Sequence, residues 1–128
     1  MDNRRIGRTV ARIVAALVLI GTSCLGGYNA IDEWNEPVTL LQRSVSVGSV
    51  IYAFAGLIAG FGLLLRRQWS FAVTVFWGAV VAYTGTAAVI GYDPGATLSS
   101  AVAAFGICVL LGAIVAWLTK VGLRGENP

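Results

Sequence analysis

Along this chain, uncharged residues come in four long runs separated by short clusters of charge. Arg12 to Asp32 encloses 19 uncharged residues, Arg43 to Arg66 encloses 22, Arg67 to Asp93 encloses 25 and Asp93 to Lys120 encloses 26. A helix rising about 1.5 Å per residue needs roughly 20 residues to cross a hydrocarbon layer near 30 Å thick. All four runs qualify, the first only just. Lipid offers a backbone amide no partner, so each run must pair its own amides, and that selects helices. A membrane β-barrel needs short alternating segments, and neither Ile13–Ile20 nor Ala53–Leu65 alternates. The expected spans cover about 11–31, 44–65, 69–92 and 97–119, with a polar connection over 32–43.

The charges set the expected topology. Arg4, Arg5, Arg8 and Arg12 precede the first span, Arg66 and Arg67 join the second to the third, and Lys120 and Arg124 follow the fourth. An up-down-up-down path puts these eight on one side, leaving only Arg43 with Asp32, Glu33, Glu36 and Asp93 on the other. Basic loops stay in the cytoplasm, so both termini are expected there. The links Arg66-Arg67-Gln68 and Asp93-Pro94-Gly95 are short and force antiparallel neighbours. The fold class is therefore an all-α membrane protein, a single four-transmembrane-helix bundle over residues 1–128. Pro37 suits a first helical turn capped by Asn35 or Glu36, and Thr97 or Ser99 suits the cap of the fourth helix.

Composition agrees and narrows the chemistry. Hydrophobic residues make up 57% and charged residues 12%, with a mean hydropathy of +0.79; soluble domains are about 25% charged. There is no histidine, and the two cysteines, Cys24 and Cys108, lie far apart. Zinc fingers, histidine-ligated haem, Ser-His-Asp hydrolysis and disulfide frameworks are excluded. The four uncharged runs hold no Asp, Glu, Lys, Arg or His, which argues against a buried-carboxylate proton pathway and a voltage sensor. No enzyme activity, cofactor or metal is expected. The net charge of +3 follows from the cytoplasmic arginines, so no nucleic-acid partner is implied. Contact of the arginine cluster with anionic lipid headgroups is a secondary expectation. Gly21-Thr22-Ser23 before Cys24 lacks the leading leucine of a lipobox, so the first span is expected to stay uncleaved.

Small residues recur at helical spacing. Gly56 and Gly60 form a Gly-xxx-Gly pair; Gly78, Ala82 and Thr86 repeat every fourth position. Ser100, Ala104, Cys108, Gly112 and Ala116 form the longest ladder, down one face of the fourth span. Such stripes let backbones approach closely, either inside the bundle or against another subunit. The other candidate contact is the polar connection, with Trp34, Glu36, Pro37 and Leu40 as the residues expected to meet a partner. A neutral pathway would draw on Tyr52, Tyr83, Thr84, Thr86, Ser46, Ser49 and Thr74, whose hydroxyls can equally bond back to their own helix.

The stretch from Tyr52 through Leu65-Arg66-Arg67-Gln68-Trp69 to Ser70 resembles the helix–Arg-Arg-x-Trp–helix core of small four-helix bacterial membrane proteins with a DoxX-like layout. That resemblance implies a bacterial inner-membrane location. The expected function is a non-catalytic accessory, assembly or stabilising subunit of a larger membrane complex, of the respiratory or photosynthetic kind. The alternative is a small homo-oligomeric transporter or lipid-handling protein with a neutral, hydroxyl-lined path.

Overall fold

The computed structural model describes residues 3–35, 38–92 and 94–123, with Arg4 and Glu33 as backbone only. Four helices fill this range: α1 (Asn3–Glu33), α2 (Leu40–Leu64), α3 (Ser70–Tyr92) and α4 (Leu98–Leu123). All four are long and apolar enough to cross a membrane. They pack in a ring, α1 on α2, α2 on α3, α3 on α4 and, less extensively, α4 back on α1; α2 and α4 barely touch across the diagonal.

Two helices outrun their expected bounds. α1 continues through Arg4, Arg5, Arg8 and Arg12, and α4 passes Lys120 to Leu123. Charge marks where a hydrocarbon span ends, but arginine and lysine are good helix formers and nothing there breaks the helix. α2 begins at Leu40, four residues before the expected start, and is capped by Thr39 rather than by Asn35 or Glu36. Thr39 Oγ1 accepts from the Gln42 amide at 3.2 Å, and the Gln42 side chain accepts from the Thr39 amide at 3.0 Å. This reciprocal Thr-x-x-Gln box satisfies two orphan amides at once. Asn35 lies in a turn, and Glu36 and Pro37 fall outside the described residues. Thr97 and Ser100 make the equivalent exchange before α4, at 2.8 and 3.2 Å.

Glycines set how close the helices come. A Cβ at Gly60 would sit 2.7 Å from the Ile20 side chain, and one at Gly56 2.8 Å from the carbonyl oxygen of Leu19, so α1 and α2 come almost backbone to backbone there. Gly112 and Gly78 do the same between α4 and α3, where a Cβ on Gly112 would lie 3.2 Å from the Gly78 Cα. Gly26 accommodates the Tyr52 ring, and Gly62 the Trp69 ring. In each seam the partner's number falls as the other rises, Ser23 with Gly56 but Ile20 with Gly60, which makes neighbouring helices antiparallel.

The packed core gathers around Ala15, Ala16 and Leu19 of α1, Ala59 and Leu63 of α2, Trp77 of α3 and Val115 of α4. It occupies the half of the bundle nearest the α1 N-terminus and the α2–α3 link, here termed the basic end. Polar bonds between helices lie toward the ends. Gln42 Nε2 donates to the Gly91 carbonyl at 2.9 Å at the acidic end, and Gln68 Nε2 donates to the Leu123 carbonyl at 3.3 Å at the basic end.

The α2–α3 link closes with a Schellman turn. The Arg67 amide reaches the Gly62 carbonyl at 2.8 Å, the Arg66 amide reaches Leu63 at 3.0 Å, and Arg66 takes a left-handed φ of 60°. A non-glycine residue there costs roughly 1–2 kcal/mol. Arg66→Gly is expected to raise stability in detergent by about 1 kcal/mol, after allowing for glycine's larger chain entropy. Thermal unfolding of the purified variant measures it, and an unchanged or lower midpoint would refute the strain argument.

Candidate functional site: the bundle interior and the outer face of the fourth helix

No group of three metal-binding side chains occurs among the described residues. The α4 ladder expected from sequence turns inward. Ser100, Ala104, Cys108, Gly112 and Ala116 are all half-buried, Gly112 lies against Gly78, and Cys108 lies beside Gly85 of α3. Gly56 and Gly60 are buried against α1. These residues shape seams within the bundle. Cys24 is exposed on α1, in a groove between α1 and α2 lined by Tyr28, Trp34 and Phe54, and both it and Cys108 are free thiols.

At the acidic end Arg43 ties α2 to the turn that follows α1. Arg43 Nη1 donates to the Trp34 carbonyl at 2.8 Å and its guanidinium stacks 4.8 Å above the Trp34 ring. Leu40 is 88% exposed at the start of α2. Of the expected contact residues, Trp34 and Leu40 thus present surface, while Glu36 and Pro37 lie outside the described residues.

The hydroxyls separate into two groups. Thr74 and Thr86 donate one turn back, to Ser70 and Ala82 at 2.7 and 2.8 Å, and Tyr83 points outward and donates to Ser44 at 3.2 Å. Ser49, Tyr52 and Thr84 instead wall a cavity of about 400 Å³ with Thr22, Trp77 and Cys108. It lies in the acidic half and includes residues from all four helices. Between Trp77 and Tyr92, both on its wall, α3 rises about 22 Å. The cavity's α1 and α4 walls include exposed Asn29 and Leu111, so it opens along the α1–α4 seam. Trp77, wholly buried, lies both on its wall and in the packed core, and so stands between the two. The bundle is solid in one half and hollow in the other.

Several buried polar atoms here lack partners: Trp77 Nε1, Thr84 Oγ1 and Ser46 Oγ. Thr84 Oγ1 sits against Gly48, where only a missing side chain leaves it room. A buried hydroxyl without a partner costs about 1–3 kcal/mol.

What the ladder hid is a second one on the opposite face of α4. Ser99, Ala103, Gly106, Leu110, Ala113 and Trp117 follow spacings of four and three residues, and all six are exposed. A Cβ at Gly106 would meet nothing within 4 Å. Four of the six are small, and the spacing is that of a heptad seam. It was present in the sequence, but the inward ladder is longer in unbroken small residues and masked it; only burial tells the two apart. α4 is also the least enclosed helix, with five of its 26 residues buried against eleven of 25 in α2.

Compared with protein-family models, curated proteins and solved structures, the chain matches none. The helix–Arg-Arg-x-Trp–helix likeness is one of layout alone.

Thr84→Val removes an unpartnered hydroxyl without changing shape. It is expected to leave thermal stability in detergent unchanged or raised by up to about 1 kcal/mol. A clear loss would mean that the hydroxyl has a partner inside the cavity.

Proposed function

We propose that the chain is a non-catalytic multi-pass protein of the bacterial inner membrane, with both termini cytoplasmic, that serves as an accessory or assembly subunit of a larger membrane complex. The observation that carries this reading is the outward seam of α4. Lipid gains nothing from a row of serine, alanine and glycine, whereas a second helix gains close backbone approach. The spacing of four and three matches a partner helix crossing at about 20°. The Trp34–Arg43 tie adds a contact at the acidic end of the same molecule. Ionisable side chains are missing from the hydrocarbon-spanning runs, so the chain has little chemistry of its own to offer there.

A second reading, a lipid-handling or transport protein, is favoured by the hydroxyl-walled cavity. With Trp77 standing between it and the packed core, it fits a binding pocket better than a conduit.

Gly106→Leu tests the docking seam without disturbing the fold, because the site opens on free space. In mild detergent the tagged wild-type chain is expected to bring other membrane polypeptides with it, and Gly106→Leu to lose most of them. Gly112→Leu, which pushes α4 off Gly78, should instead cost about 1–3 kcal/mol of stability. A wild-type chain that emerges alone and monomeric ends the subunit reading; one that emerges as a homo-oligomer broken by Gly106→Leu replaces the foreign subunit with a second copy.

Orientation has its own check. A periplasm-dependent reporter fused after Asn35 should be active, and fusions after Gln68 and Leu123 inactive. The reverse pattern would invert the topology.

A further inference from the structure

At the basic end, α1 and α4 leave between them a groove of about 600 Å³ facing the bilayer. Its walls are apolar, with Val10 and Val14 of α1 opposite Trp117, Leu118 and Val121 of α4. Gly7 and Ala11 give it depth, since a Cβ on Gly7 would meet nothing within 4 Å. It closes inward where Gly122 packs on the backbone of Arg12. One charged residue lines it, Arg8. Arg5 and Arg12 stand three before and four after on the same face of α1. Among the described residues, the acidic side chain nearest in sequence is Asp32, at the far end of the same helix.

We propose that this groove holds an anionic phospholipid, its phosphate on Arg8 and one acyl chain along Val10, Val14 and Leu118. Charge selects the occupant. Among the described residues this guanidinium is flanked by two more and no carboxylate lines the groove, an arrangement that attracts a net negative headgroup and repels the ammonium of a zwitterionic one. The groove's apolar walls match an acyl chain, with the Trp117 ring beside it. Free phosphate would use Arg8 but leave the apolar walls bare. The inference does not depend on the docking seam or on which compartment the basic end faces.

The test uses the full chain in detergent micelles supplied with equal amounts of phosphatidylglycerol and phosphatidylcholine of identical chains, with retained lipid counted by native mass spectrometry. Wild type is expected to retain phosphatidylglycerol in preference. Arg8→Gln should cut that retention about fivefold, the factor for one basic residue at an anionic surface, and leave phosphatidylcholine unaffected. Gly7→Leu fills the groove without a clash and should reduce both lipids. Arg67→Gln, at the other basic cluster, should behave as wild type. Equal retention of the two lipids by wild type would overturn the site. So would Arg8→Gln and Gly7→Leu variants that retain lipid normally, or a preference that follows Arg67.

Discussion

A leucine packed on a neighbouring helix and a leucine packed on lipid tails sit in much the same medium, so burial alone gives these four helices no reason to associate. What remains is the quality of contact, and contact improves as backbones approach. Gly56 against Leu19 and Ser23, Gly60 against Ile20, and Gly112 against Gly78 therefore carry a burden that large core residues carry in a soluble protein. A methyl group at Gly56 or Gly112 would need the facing helix to move, and one at Gly60 would displace the Ile20 side chain. The large residues fill space that the glycines define; Trp77 fits because Gly56 leaves its ring edge room, a Cβ there standing 3.1 Å from Cδ1.

That dependence explains the asymmetry along the bundle axis. In the basic half all four helices converge, and Leu19, Leu63, Trp77 and Val115 seal the centre. Gly122 on Arg12 draws α4 onto α1 only at that end. Toward the acidic end α4 follows α3 through Gly85 and Cys108, and the α1–α4 seam relaxes into the cavity. In the packed half Ser23, Thr74 and Thr119 each donate one turn back within their own helix, whereas Thr84, by the cavity, stays unpartnered.

Helix number and approximate length were legible in the runs between charges, because charge is costly in lipid and its positions delimit the spans. Helix ends were less so. Arg4 to Arg12 end a hydrophobic run without ending α1, and Thr39 took the cap from Asn35 because its side chain and that of Gln42 satisfy each other. The direction of each small-residue ladder was not legible. A period of 3.6 says that Ser100, Ala104, Cys108 and Gly112 share a face, but not what that face meets. Hydropathy gives no help, since in α4 the inward and outward faces are almost equally apolar. The cavity was hidden for a related reason: Ser49, Tyr52 and Thr84 lie on two helices, and their meeting depends on register that Gly48 sets.

Arg66 shows how topology and packing compete. Its backbone position suits glycine, and a glycine would relieve the left-handed strain. Arginine there adds a positive charge to the link between α2 and α3, next to Arg67. Basic residues near span ends fix which side a loop stays on, and short loops count most. On the proposed topology, the turn accepts roughly 1–2 kcal/mol of local strain in return for a charge that would act during insertion, before any helix seam exists. Fold stability and insertion geometry then make different demands on one residue, and the arginine answers the second.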